Sequence, residues 1–449
     1  MRFYKSLSDK QIELFVFLFF SLVFVYFTSY QLFQPAFWDE VKVYFKPLWE
    51  FYNSPSAFIF DRAAHQFERP LGQNLIYYPT LLIFGKNIIA VRIQNLFMFI
   101  ISHYFLYKSF TQNKSQSDKV CVLLLLFYLC TIPAYIIYTT QFVGAPQLFF
   151  LMSVCLFCIQ FFPQRVLLIF FISLLMGSFR ESSLAFALAI FAFWGVPGKR
   201  KPILISSLAI IIGFLLNLIL TKIRTGDFFQ HMALTENHLF QLSLFEALTK
   251  FHSHFLLSYK LLIPFSISVL LILRYFSFQS LKENKYFTFS FLIASLFILI
   301  FSFHKFAIVR YFWIATPFFL YLCFYSVIKL SQSNRVRIVL ILVCFLSSFI
   351  IGDPHSETKE SIFYRYIGPE YTLRNTEHRR AHQEILKKIK NNAPAGSEII
   401  TSWPFEAMLS TSHLGYGPYI PYKLNDIYDG EPFDFQKPDV ILWNNYPEQ

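Results

Sequence analysis

At 449 residues, 55% hydrophobic and only 15% charged, the chain is too apolar for a soluble globular protein, in which about a quarter of residues carry charge. Its mean hydropathy is +0.46, and largely apolar stretches of about 18 residues recur, the length needed to cross a bilayer as helix. The net charge of +12 is no mark of a nucleic-acid partner, because membrane proteins gather basic residues on one side. The reading is therefore an all-α polytopic membrane protein in contact with membrane lipids.

The N-terminus MRFYKSLSDK is short and basic. The apolar run that follows, about Ile12–Phe33, is too long for a signal-peptide core and lacks a small-x-small cleavage site, so it reads as a retained first span with a cytoplasmic N-terminus. Further spans fall at about Ile88–Tyr107, Val120–Tyr138, Pro146–Phe162, Val166–Phe179, Ser182–Trp194 and Ile203–Thr221. Four more fall at about Phe255–Leu273, Phe287–Phe303, Ile308–Ile328 and Val336–Ile351, which makes about 11 in all. Leu71–Phe84 is apolar but short, and Gly72, Asn74 and Pro79 interrupt it.

The positive-inside rule decides whether that segment crosses. If it does not, one side collects Arg2, Lys5, Lys10, Lys108, Lys114, Lys119, Arg165, Lys199, Arg200, Lys201, Arg274, Lys282, Lys285, Lys329, Arg335 and Arg337. The opposite turns then hold little beyond Arg180, Lys305 and Arg310. Leu71–Phe84 is thus expected to be re-entrant or to lie at the interface. The chain divides into a membrane domain, residues 1–352, with outer loops 34–87 and 222–254, and a C-terminal extracytoplasmic unit, residues 353–449. That tail reads as a small α/β domain. Thr376 caps a helix from Glu377 to about Lys390, and Glu398–Trp403 and Val440–Trp443 read as strands. There is no Gly-rich phosphate loop and no internal repeat.

Cysteine and histidine patterns specify no metal. Cys155 and Cys158 form a CxxC inside the apolar run LMSVCLFCIQF, without the second ligand pair that a zinc site needs. His231, His238, His252 and His254 have no carboxylate or Cys at a recognised spacing.

The chemistry-bearing residues cluster after the first span. Asp39 and Glu40 in FWDE are adjacent carboxylates at a membrane boundary, either a functional pair or an acidic helix start favoured by the helix dipole. The loop continues through FERPLGQNLIYYPTLLIFGKNIIAVR. An acidic pair after span one, then an acidic-basic-Pro motif, an apolar half-helix and G-x-N-x-x-A-x-R resembles the GT-C superfamily of integral-membrane glycosyltransferases. Within it, the bacterial lipid A aminoarabinose transferases and the protein O-mannosyltransferases are the most similar. The resemblance resumes at GAPQLFF, SFRESSLAF and HKFAIVRYFWIATPF.

The resemblance implies transfer of a sugar from a polyprenyl-phosphate donor to a lipid, glycan or protein acceptor, on the outer face of an inner (plasma) membrane, with inversion. It gives Asp39 the role of general base, since a hydroxyl is a weak nucleophile until a placed acceptor takes its proton. For Glu40 two roles stay open, placing the substrate or helping to hold a divalent cation, beside the plain helix start. The leaving lipid phosphate needs cations, for which Arg69, Arg310, Arg180 and Lys305 are the candidates, with Glu68, Tyr311 and His304 as positioning residues. Arg69 stands where the aminoarabinose transferases carry Lys, so that role transfers only in part. Arg180 and Glu181 form either a structural ion pair or part of the site, and Arg92 reads as a span anchor. Gly144 replaces the acidic residue that the family often has before Ala-Pro. A transporter of lipid-linked sugars or polysaccharide, or a non-catalytic scaffold, is the alternative.

Overall fold

The computed structural model describes residues 9–33, 40–60, 71–111, 116–141, 144–225, 242–275, 284–304, 309–350, 375–401, 408–409, 423–426 and 440–442. Every apolar stretch anticipated from the sequence is helical within these residues. The helices are α1 (Asp9–Leu32), α2 (Lys46–Asn53), α3 (Pro55–Phe60), α4 (Leu71–Phe84), α5 (Ile88–Thr111) and α6 (Gln116–Leu129). They continue as α7 (Pro133–Thr140), α8 (Ala145–Phe161), α9 (Val166–Gly177), α10 (Ser183–Ala189), α11 (Arg200–Thr225) and α12 (Leu244–Lys250). The last of the membrane domain are α13 (Leu262–Tyr275), α14 (Lys285–Ser302), α15 (Ala315–Leu330) and α16 (Asn334–Ile350).

The protein is an integral membrane protein, as its surface requires. Leu14, Phe15, Leu18, Phe19, Leu22, Tyr26 and Phe27 on α1, and Leu204, Leu208, Leu215 and Ile219 on α11, are all exposed. Apolar patches that large are not left facing water. By length and composition three described helices cross alone, Ile88–Thr111, Arg200–Ile223 and Lys285–Ser302, and two bent pairs bring the number to five. Shorter apolar helices, Ala145–Phe161 and Ala315–Leu330 among them, pack between these.

Three stretches expected as single spans are broken. Val120–Tyr138 divides at Thr131–Ile132, where Pro133 starts α7 and supplies no amide hydrogen to continue the ladder. Phe255–Leu273 divides into a π-helical turn (Phe251–Leu257) and α13, with a bend of 112° between the halves. Lys260 at the bend adopts φ 54°, and its carbonyl accepts the Tyr128 hydroxyl at 2.6 Å. Ile308–Ile328 divides into a 3₁₀ turn (Val309–Phe312) and α15.

The first and fifth helices run antiparallel. Near the start of α1, Glu13 pairs with Lys108 at the end of α5 at 3.3 Å and with Lys119 on α6 at 2.8 Å. At the other end, Arg92 near the start of α5 reaches the carbonyl of Leu32, the last residue of α1, at 3.3 Å. An odd number of crossings between them would make the two helices parallel. Of the helices between them, the longest, α4, spans about 21 Å for 14 residues, short of the about 30 Å hydrocarbon core. It therefore stays at one end of the bundle, as the charge distribution anticipates.

Small residues let the densest pair, α9 and α11, approach closely. A Cβ on Gly177 would strike the Ile210 carbonyl, and one on Gly213 the Leu174 carbonyl. Ser173 and Ser206 hydrogen-bond across this seam at 2.7 Å.

In the tail, helix α17 (Asn375–Asn392) contains the expected Glu377–Lys390 stretch, and Thr376 falls inside it rather than at its cap. Strands β1 (Glu398–Thr401), β2 (Lys423–Asp426) and β3 (Val440–Leu442) form a parallel sheet in the order β2-β1-β3. The polar KLND of β2 has no apolar alternation, so sequence periodicity did not reveal it.

Candidate active site

Glu40 opens a π-helical turn, Glu40–Phe45, immediately after the Asp39 segment. Such wide turns recur at functional sites, because they re-aim side chains within a helix. Glu40 is 1% exposed, which rules out a solvated helix start. The Arg92 guanidinium holds it with two bonds, Nη2 to Oε2 at 2.8 Å and Nε to Oε1 at 3.3 Å. The third arm, Nη1, donates to the Leu32 carbonyl. One buried side chain thus grips both ends of the segment that carries Asp39. Both Glu40 oxygens are thus engaged by one guanidinium.

Asp39, Glu68, Arg69 and Lys305 lie outside the described residues. Arg180, Arg310, Tyr311 and His304 lie within them, and the fold brings them together. Arg180 follows the turn after α9, and its guanidinium carbon stands 5.0 Å from the Tyr311 ring centre. The Arg310 guanidinium stands 5.6 Å from the same ring. The His304 ring is 6.2 Å from it, edge-on. Two guanidinium groups thus lie against one tyrosine ring, each drawn by its electron-rich face. Arg180 Nε and Glu181 Oε1 are 3.7 Å apart, a loose pair that leaves the guanidinium edge-directed rather than locked in a fork.

Of a second group of polar residues, the sequence had marked Asn74, as an interruption of Leu71–Phe84. Gln73, Asn74 and Tyr77 of α4, Asn95 of α5 and Gln147 of α8 are all buried, and Tyr77 joins the three helices. Tyr77 bonds Asn95 and Gln147, Gln147 Nε2 donates to Asn95 Oδ1 at 2.8 Å, and Asn95 Nδ2 donates to the Gln141 carbonyl at 3.2 Å. The only sequence signal was a few amides set in apolar helices. Their partners lie tens of residues away.

Gly144 is where these pieces meet. It takes φ 79°, left-handed backbone that suits glycine, and caps α8. A Cβ built on it would stand 3.7 Å from Tyr44 of the π-helical turn, 3.8 Å from Gln73 Oε1 and 3.8 Å from Phe179, the neighbour of Arg180. The start of α4 is tied to the same turn by the Gly72 amide, which donates to the Ser178 carbonyl at 3.3 Å. The Glu40–Phe45 turn, the start of α4 and the residue before Arg180 therefore meet at Gly144.

The helix order and this arrangement make up a fold that the chain shares with solved structures. No family model matches the chain, and no curated protein matches it. Among solved structures, it is similar to ArnT from Cupriavidus metallidurans bound to undecaprenyl phosphate, with a TM-score of 0.61 and 11% identity over 94% of this chain and 87% of that one. The apo state of the same protein gives 0.56 and 10% identity over 92% and 86%. An Archaeoglobus fulgidus oligosaccharyltransferase, tethered to an acceptor peptide containing the NVT sequon, gives 0.51 and 10% identity, covering 92% of this chain and 64% of that one.

Proposed function

We propose that the protein is an inverting membrane glycosyltransferase that moves a sugar from a polyprenyl-phosphate donor to an acceptor hydroxyl on the outer face of the inner membrane. The observation that carries this reading is the approach of the Glu40–Phe45 turn and the residue before Arg180 to Gly144, with Arg180 and Arg310 on one tyrosine ring. The similarity to an undecaprenyl-phosphate complex supports a lipid-phosphate ligand here as well.

In this reading Asp39 accepts the proton of the acceptor hydroxyl as the oxygen attacks the anomeric carbon, and the bond from that carbon to the phosphate oxygen breaks. The charge that develops on the leaving phosphate is met by Arg180 and Arg310, with Arg69 and Lys305 as further cations and Tyr311, His304 and Glu68 placing the donor. Charge-assisted bonds aimed at the leaving group lower the barrier because they strengthen as the bond breaks. Glu40 and Arg92 act one step removed, by fixing the segment that carries Asp39. About 11 crossings, with the N-terminus cytoplasmic, put this site and the tail of residues 353–449 outside. The tail is assigned acceptor choice.

The phosphate half of the proposal is tested by titrating undecaprenyl phosphate into the purified full-length protein in nanodiscs. Arg180→Ala and Arg310→Ala should each weaken binding about 10- to 100-fold, the worth of a charge-assisted bond. Binding within twofold of the parent for both variants removes the arginines from this role.

A further inference from the structure

The amides between α4, α5 and α8 are incompletely used by the protein itself. Gln73 Nε2, Asn74 Nδ2 and Gln147 Oε1 are buried and have no hydrogen-bond partner among the described residues. The three residues are 3%, 1% and 0% exposed. An unmet buried donor or acceptor costs about 1–3 kcal/mol, so three in one place mark a ligand or ordered water that completes them. Their position favours a ligand. Gln73 faces Gly144, Gly72 is bonded to the turn that leads into Arg180, and Tyr44 brings the carboxylate segment to the same spot.

Resting on the glycosyltransferase reading above, we propose that Gln73, Asn74 and Gln147 form the subsite for the sugar of the lipid-linked donor, and that this sugar is neutral and hydroxyl-rich. The lipid phosphate sits on Arg180 and Arg310, so the sugar attached to it extends toward one flank of the turn at residues 178–181. The amides occupy that flank. Donor and acceptor atoms in one small group match hydroxyls, which give and accept hydrogen bonds alike. Among the described residues the amide group adds no net charge: Tyr77 and Asn95 are neutral, and Arg92, one helical turn from Asn95, is matched by Glu40. A charged sugar would be desolvated against these amides without a counter-ion from them, which is costly.

The test compares binding of four probes to the full-length protein in nanodiscs. They are undecaprenyl phosphate, its glucose and mannose conjugates, and its 4-amino-4-deoxyarabinose conjugate, which is cationic. One neutral conjugate should bind at least about tenfold tighter than undecaprenyl phosphate, equivalent to about 1.4 kcal/mol, and tighter than the cationic one. Gln73→Leu and Gln147→Glu should each erase that gain and leave affinity for undecaprenyl phosphate within twofold, a readout that also reports folding. The subsite is overturned if neither neutral conjugate gains over undecaprenyl phosphate, if the cationic one binds tightest, or if the variants weaken every probe equally. A parent that binds none of the four, undecaprenyl phosphate included, overturns the glycosyltransferase reading itself.

Discussion

Arg92 shows how one residue's chemistry organises a site it does not join. Its planar fork satisfies both Glu40 oxygens and still has an arm for the Leu32 carbonyl, a geometry that Lys cannot copy. Removing one partner of a buried ion pair strands the other, at about 3–5 kcal/mol, whereas replacing both with apolar groups is often near neutral. Arg92→Ala should therefore destabilise the purified protein by about that amount in a denaturation experiment. The pair Glu40→Leu with Arg92→Met should recover most of the loss without recovering sugar transfer, because the Asp39 segment is then no longer gripped. Recovery of stability and transfer together would make the pair purely structural. From the sequence, Arg92 read only as a span anchor and Glu40 as one of a carboxylate pair. Nothing local links residues 52 positions apart, so their partnership was not legible.

At the level of elements, the apolar stretches were readable because hydropathy is a local property. Leu71–Phe84 is a helix with the anticipated ends, and α9 starts at the anticipated Val166. The breaks were not readable in the same way. Lys260 turns left-handed where tertiary partners, Tyr128 among them, take up its freed backbone groups. The amide cluster was invisible for the same reason, since each amide alone is an ordinary polar residue in a helix. The contact between α9 and α11 belongs to this scale too. Gly213→Val should destabilise the protein by more than about 1–3 kcal/mol, the usual cost of overpacking, because the obstacle is the Leu174 backbone and not a side chain that can rotate away. Gly195→Ala, with open space around it, should be neutral in the same thermal or denaturant series. Equal effects would mean the helices do not meet through their glycines.

For the whole molecule, the antiparallel run of α1 and α5 decides how the site is built. Because α4 does not cross between them, it stays at one end of the bundle, where its Gly72 meets the turn that leads into Arg180. The positive-inside pattern anticipated this from the sequence, since only that path gathers the basic loops on one side. A polar site at one end of an apolar bundle suits a donor whose tail is in lipid and whose phosphate and sugar are at the surface. In the proposed reaction Asp39 is the group assigned to take the acceptor proton. The most direct test is transfer of labelled sugar from a lipid-phosphate donor by full-length protein in reconstituted membranes, comparing the parent with Asp39→Asn. Loss of about 10²–10⁴-fold in rate, with undecaprenyl phosphate binding unchanged, is the predicted result. Transfer at the parent rate by Asp39→Asn, or no transfer by the parent itself across the donors tested, would contradict it.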